Sequence, residues 1–523
     1  MNFTIDTTEK TEIDQDRVAI QIKAGELHET ATKAEAALVA AGVPFYTRGG
    51  QIVRPIIESV PSFHGCKTKV SRVKTVNVDA LRDYLSRAVR FEKLDKHGKK
   101  PIAIDPPYEI AHTILARDGQ WLFPSLTGLI TTPTLRPDGS VLATPGYDPT
   151  TGLLLLAPPP MPAISERPSR TEALAALDVL DALLDDFPFV ADADRSATLS
   201  TLMTPVLRGG MQVAPLHTAT SPEARTGKSY IFDLMAAIAT GDKAPVIAAA
   251  QDENETEKRL DAALLKGQPI IAIDNLNGDL GGTRLCQAVE RPLLQLRILG
   301  FTENRDIINT VCVFGNGNNM RLIGDITPRT VQVSLDAKME RPELRNFNGD
   351  PFATILADRG RYIAAILTIA RAYLAAGCPE LRPLASFAEW TKLVRCPLIW
   401  LGRTDPWETN EKVRSDDPTR NELRAVMAAW RDLVGLNIEM TAGDLKDHAL
   451  SSIPGNTDLK FHKAITAVAP MRGRPNEVDA LRFGRWLSRN KDRVVNFIEA
   501  EYKISGSVDG HTKQMKWCLK KVD

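Results

Sequence analysis

The chain has 523 residues, too many for one hydrophobic core and enough for roughly three or four domains. Its 43% hydrophobic and 25% charged residues are those of an ordinary globular protein, and its 65 Lys and Arg balance 65 Asp and Glu. No global field therefore draws it to nucleic acid, and any basic surface has to be local. The six cysteines (Cys66, Cys286, Cys312, Cys378, Cys396, Cys518) include no Cys-x-x-Cys pair, which argues against structural zinc and for reduced thiols in a cytoplasmic protein.

The first sixteen residues are polar and acidic, unlike a signal peptide. Ala31 to Ala41 and Val78 to Phe91 carry helical periodicity, the second through Val78, Leu81, Leu85 and Val89. Turn chemistry follows at Pro133, Pro137-Asp138-Gly139 and Pro145-Gly146-Tyr147-Asp148, as in a small β-rich region. Leu153 to Ile164 is the greasiest run, but Pro158, Pro159, Pro160 and Pro162 break it, so no membrane partner is expected. The prolines from Pro158 to Pro168 read as a semi-rigid linker. Thr171 to Leu184 and Arg195 to Leu207 are predicted helices, and Gln212 to Thr218 a strand. Tyr230 to Ala239 and Glu255 to Leu265 are further helices; Pro269 to Ile273, Asn309 to Phe314 and Thr330 to Leu335 are further strands. Alternating strands and helices imply a mainly parallel, helix-covered α/β sheet. Tyr362 to Val434 reads as mostly helical, and the chain closes with helix, strand, turn and strand.

Between the strand ending near Thr218 and the helix beginning near Tyr230 lies Ser221-Pro222-Glu223-Ala224-Arg225-Thr226-Gly227-Lys228-Ser229. It has the pattern of a phosphate-binding loop with proline at its first glycine position, although Gly-Lys-Ser also occurs by chance in a chain this long. Gly227 lets backbone amides turn inward, Lys228 can reach β- and γ-phosphates, and the Ser229 hydroxyl can bind Mg²⁺. The strand–loop–helix setting adds a helix N-terminus to the anion site. Asp274, at the end of Ile270 to Ile273, is placed to hold Mg²⁺ across from Ser229, although an Asp-Asn turn is a common way to end a strand. Asn316 to Asn319 offer a polar amide, with Asn318 as candidate sensor of the γ-phosphate; a plain Gly-Asn loop is the alternative. Arg329 is a candidate arginine finger, with Arg341 and Arg345 weaker ones. Together these call for ATP and Mg²⁺.

The C-terminal end carries a separate signal. Glu477 to Asn490 is a predicted helix with Arg482, Arg485 and Arg489 on one face and Leu481 and Leu487 for packing. Val494 to Ile504 and Lys513 to Lys521 follow as strands, with His511 in the connecting turn. From Arg472 onward twelve basic residues face seven acidic ones, a net +5. Helix plus β-hairpin is the plan of a winged helix, with the arginines and His511 as candidate DNA contacts. A solvated helix face or a protein-binding module fits the same pattern.

Ile273-Asp274-Asn275-Leu276-Asn277-Gly278-Asp279-Leu280-Gly281, Arg297-Ile298-Leu299-Gly300, Gly317-Asn318-Asn319 with Gly324-Asp325, and Arg341-Pro342-Glu343-Leu344-Arg345-Asn346-Phe347 resemble the helicase half of phage and prophage primase–helicases. These are AAA+ ATPases similar to superfamily-III helicases. The resemblance spans about Val53 to Gly435, including Trp400-Leu401-Gly402 and, upstream, Pro133 to Asp148. It implies a P-loop AAA+ core at 171–375, after an N-terminal α+β domain at 1–157 and a linker at 158–170. A helical region at 376–440 and a winged-helix-like domain at 441–523 complete the expectation. The implied activity is an ATP-dependent DNA helicase or translocase working as a hexamer-type homo-oligomeric ring, with Arg291 to Arg297 near DNA in the channel. Asn275 stands where many such ATPases carry the glutamate that activates water, leaving Glu255 or Glu257 as alternative donors. That departure keeps open a second reading, a nucleotide-gated DNA-binding initiator or loader that does not unwind DNA. Asp14-Gln15-Asp16 has the spacing of paired metal-binding carboxylates but no flanking strand pattern, so any primase is expected to be a separate partner.

Overall fold

The computed structural model describes residues 17–61, 67–95, 97–249, 253–297, 304–345, 349–450, 459–497, 499–510 and 513–522. Asp14, Asp16, Cys66, residues 298–300, Asn346, Phe347 and His511 lie outside the described residues. The chain divides into two compact units, residues 1–320 with 329–410, and residues 321–328 with 411–523.

The first unit begins with β1 (Val18–Gln21), α1 (Leu27–Ala40), β2 (Tyr46–Arg48), β3 (Gln51–Pro61), β4 (Lys67–Thr75), α2 (Val78–Ala88), β5 (Val89–Leu94), β6 (Pro101–Ile104) and α3 (Tyr108–Leu115). They form two three-stranded sheets, β1-β5-β6 and β2-β3-β4. Leu38, Leu81, Leu85, Phe91, Ile110 and Ile114 make one core between the three helices and the first sheet. The Asn77 side chain caps α2 by accepting from the Ala80 amide at 2.9 Å. The helix expected to run to Phe91 stops at Ala88, because Val89 and Phe91 are buried and Arg90 exposed, the two-residue period of a strand. Short strands at Gly128–Ile130, Gly146–Asp148 and Leu153–Leu155 form the β-rich region, where Arg136 pairs with Asp148 at 3.0 Å. The proline run lies against the next core: Met161 and Ile164 pack on it, and Arg371 Nη2 donates to the Glu166 carbonyl at 2.6 Å.

That core is built on α4 (Arg170–Asp181), α5 (Asp192–Leu207), β7 (Leu216–Ser221), α6 (Lys228–Thr240), β8 (Val246–Ala248), α7 (Glu253–Leu265), β9 (Ile270–Leu276), β10 (Cys312–Asn318), β11 (Thr330–Ser334) and α8 (Arg359–Ala375). A Ser169–Glu172 capping box starts α4. All five strands are parallel, in the order β8-β9-β10-β7-β11. The chain leaves β7 for the far edge, returns through β9 to β10 beside it, then steps past it to β11. The C-terminal end of β7 is thus a topological switch point, where open α/β sheets form their ligand crevice. Two strands differ from the sequence expectation. β7 begins at Leu216 rather than Gln212 because Pro215 has no N–H to give the ladder. β10 extends through Gly315 to Asn318 instead of ending at Phe314, so the Gly-Asn run is strand and not loop.

The second unit contains α9 (Pro418–Leu433), α10 (Ala480–Arg489), β12 (Val494–Asn496), β13 (Glu501–Val508) and β14 (Met515–Lys521). The last three form an antiparallel sheet, because the single strand expected over Val494 to Ile504 folds back on itself and pairs Val494 with Lys503. Trp430, Phe461, Phe483, Leu487 and Trp517 fill its core. Among the described residues no helix is long and apolar enough to cross a membrane.

Candidate functional site

Ser221 is the last residue of β7 paired to β10, and Pro222 follows, where a missing N–H costs the sheet nothing. Pro222, Glu223, Ala224 and Arg225 are exposed; Thr226 is buried. Gly227 caps α6 with φ 104°, and a Cβ there would meet Phe187 Cε1 at 3.2 Å, so only glycine fits without strain. Lys228 opens the helix and is buried. Its ammonium turns back under the loop to the Glu223 carbonyl at 3.0 Å, Thr226 Oγ1 at 3.3 Å and Ser221 Oγ at 2.5 Å. All three partners are neutral oxygens. Burial holds the Lys228 pKa below its ordinary value, while Asp274 and Glu223 act in the opposite direction.

Three elements converge on the next residue. Ser229 Oγ lies 3.5 Å from Asp274 Oδ1 at the end of β9, and Asn316 Nδ2 on β10 donates to Ser229 Oγ at 3.3 Å. Asp274 reaches this position through a β-bulge. Ile273 pairs with Gly315 but Leu276 with Gly317, so β9 holds one extra residue, and Asn275 sits in the left-handed region at φ 57°. The bulge presses the Leu276 carbonyl to within 2.0 Å of where a Cβ on residue 317 would stand, which only glycine allows. Asp274 Oδ1 also accepts the Asn275 amide at 2.9 Å. Asn318 lies in register beside Ser221, and its Oδ1 is buried with no hydrogen-bond partner among the described residues.

A cavity of about 630 Å³ adjoins the loop, lined by Leu183, Phe187, Thr226, Gly227, Tyr230 and Arg345 among others. The Phe187 and Tyr230 rings lie near parallel, 22° apart, with centroids at 6.2 Å. Tyr230 OH donates to Asp350 Oδ1 at 2.9 Å and accepts from the Phe352 amide at 3.1 Å, and burial pushes its pKa up to about 12. Arg345 Nη2 donates to the Asp186 carbonyl.

The loop can take a phosphate: a buried ammonium held only by neutral oxygens has room for an anionic partner. The Ser229 hydroxyl and Asp274 carboxylate are hard oxygen donors suited to Mg²⁺, which keeps several waters and takes the rest of its shell from phosphates. Among the described residues, no group of three or more His, Cys, Asp or Glu could hold a metal ion.

The other expected residues lie elsewhere. The Arg329 guanidinium contacts Glu290 Oε2 at 2.7 Å, and the other oxygen of Glu290 accepts Ser386 Oγ at 2.7 Å. Glu255 pairs with Lys258 at 3.2 Å, and Glu257 accepts the Arg284 amide at 3.0 Å. Arg291 and Arg297 are exposed at an antiparallel hairpin of Leu293–Arg297 and Asn304–Ile308. In the second unit Arg482, Arg485 and Arg489 are exposed along α10, and Arg482 donates to the Pro470 carbonyl at 2.9 Å. Phe483, not Leu481, packs beside Leu487; Leu481 is 66% exposed. Sequence reasoning singled out Asn318 from its run and missed that Asn316 reaches Ser229. It also missed Tyr230 and Phe187; only Tyr230, next to the loop, carried a local signal.

No family model and no curated protein matches this chain. Among solved structures, the A-form apo structure of the NrS-1 C-terminal region aligns over 93% of this chain and 98% of that one, at 11% identity and TM-score 0.39. The X-ray structure of JCV helicase aligns over 48% of this chain and 74% of that one, at 9% identity and TM-score 0.19.

Proposed function

We propose that this protein is an ATP-driven DNA helicase or translocase of the phage or mobile-element replication type, acting as an oligomeric ring. The observation that carries the nucleotide site is the meeting of Lys228, Ser229, Asp274 and Asn316 at the switch-point end of a parallel sheet, with Ser229 Oγ 3.5 Å from Asp274 Oδ1. Lys228 would bind the β- and γ-phosphates, Ser229 and Asp274 would hold Mg²⁺, and Asn316 and Asn318 would sense the γ-phosphate. The bound metal would neutralise charge on the transferred phosphoryl group. The aromatic-walled cavity beside Gly227 is large enough for a base and ribose. Arg329 would serve as finger only after release from Glu290. The arginine face of α10, in a unit read as winged-helix-like, would bind DNA.

The sequence resemblance favours the motor. Asn275 favours a second reading, an initiator or loader that is switched by ATP and unwinds nothing. An amide cannot take a proton from water, and Glu255 and Glu257 are engaged elsewhere. DNA-stimulated ATP turnover with displacement of a strand from a forked duplex supports the motor. Turnover without displacement refutes it in favour of the loader, and loss of neither ATP affinity nor assembly in Lys228→Ala refutes both.

A further inference from the structure

The stretch from Lys67 to Lys100 holds eleven Lys and Arg against four Asp and Glu, a net +7 inside a chain whose total is zero. The fold places Arg72 and Lys74 of this stretch, together with Arg54, on one side of the β2-β3-β4 sheet. β4 is an edge strand, and its pairing puts Arg54 opposite Lys74 and Ile56 opposite Arg72. Val53 and Val73 pack inward with Leu126, Leu129 and Leu154, so strand alternation turns Arg54, Arg72 and Lys74 to the other face. There Arg54 Nη1 contacts Tyr84 OH at 3.4 Å, and Arg54 and Arg87 flank the Tyr84 ring at 5.7 and 5.6 Å from its centroid. The Arg54 Nε is buried without a partner among the described residues. On another side of α2, Arg82 lies 3.6 Å over the half-exposed Tyr108 ring.

We infer that this face is a second nucleic-acid surface, which tracks a single strand by its phosphates. It deepens the proposed DNA-handling role by adding a binding face on the first unit, distinct from α10. Lysines on an edge strand also guard against aggregation, but that does not account for the Arg82 guanidinium laid 3.6 Å over the Tyr108 ring or for Arg54 and Arg87 gathered beside Tyr84. Guanidinium–aromatic stacks beside a row of cations are what sequence-independent single-strand sites use, phosphates on the charges and bases on the flat faces. A solvated charge run would carry the cations without the rings.

The test uses the full chain and labelled oligo(dT), with affinity measured across a salt series without nucleotide. Each phosphate contact removed lowers the slope of log K against log salt by about 0.7 on a single strand. The double substitution Arg72→Glu and Lys74→Glu is expected to reduce that slope by about 1.4 and to leave basal ATP turnover unchanged. Its loss should be independent of the loss caused by Arg485→Glu, so the two add on a logarithmic scale. Arg72→Gln with Lys74→Gln, which keeps side-chain bulk, should act in the same direction and separates charge from misfolding. An unchanged slope in both variants overturns the inference. So does lost binding to phosphatidylserine vesicles with oligo(dT) binding intact, which assigns the face to a membrane surface. Absence of ATP turnover in the unaltered chain would refute the motor while leaving this surface standing on its salt slope.

Discussion

Gly317→Ala tests the local geometry on which the candidate metal site depends. The new Cβ would stand 2.0 Å from the Leu276 oxygen and 2.8 Å from its carbonyl carbon. Both are backbone atoms and cannot rotate away, so β9 and β10 must part or the bulge must shift. Overpacking of this kind costs typically about 1–3 kcal/mol, and the upper end is expected here. The displacement falls on the bulge that sets Ser229 Oγ 3.5 Å from Asp274 Oδ1. A misplacement of about 1 Å in a reacting constellation costs on the order of 100-fold. Gly315→Ala is the control, because its nearest neighbour is the flexible end of Leu276, Cδ1 at 3.1 Å. Two measurements suffice: hydrogen exchange of the β9 and β10 amides, which reports local opening, and the Mg²⁺ dependence of nucleotide binding. Gly317→Ala should speed exchange in those strands and weaken Mg²⁺-dependent binding, with Gly315→Ala close to the unaltered protein. Equal behaviour of the two variants would refute the bulge as the device that aims Asp274.

Lys228→Met keeps length and apolar volume while removing a buried ammonium. It should leave folding intact by circular dichroism and weaken ATP binding by about 2–5 kcal/mol in a titration, the usual cost of deleting one partner of a close charge pair. Arg485→Glu with Arg489→Glu should weaken duplex and single-strand binding and flatten the salt dependence, without altering ATP affinity. His217 on β7 is buried against α5, its ring 3.3 Å from Ser200 Oγ, and burial lowers its pKa from 6.5 to about 3. Its folded pKa lies below the unfolded one, so stability is full above about pH 6.5 and falls as pH drops toward 3. At 1.36 kcal/mol per unit the limit is about 5 kcal/mol. His217→Gln should flatten that acid limb in a pH series of unfolding curves.

Local chemistry made much of the core legible. A short run rich in isoleucine such as Ile270 to Ile273, set off by Pro269, reads as a buried strand, and Gly227-Lys228-Ser229 between a strand and a helix narrows the choice of chemistry. Lys228, Ser229, Asp274 and the Asn316–Asn319 run could each be picked out because a loop or strand end was written beside them. What the sequence left open was every relation between distant segments. The strand read only as far as Phe314, with the Gly-Asn run beyond it, since nothing local shows that a bulge in β9 would press the Leu276 carbonyl against Gly317 and keep residues 315–318 in the sheet. Asn316 was passed over for Asn318, because which amide meets Ser229 depends on the register between β10 and β7. Phe187 became a cavity wall only when α6 brought Tyr230 alongside it, 43 residues further along the chain. The sequence by itself determined the residue types able to meet a phosphate and a hard cation, because those depend on side-chain chemistry and short spacing. Tertiary structure decided which of them meet, because strand order and register are set by burying several apolar faces at once, which no single segment encodes.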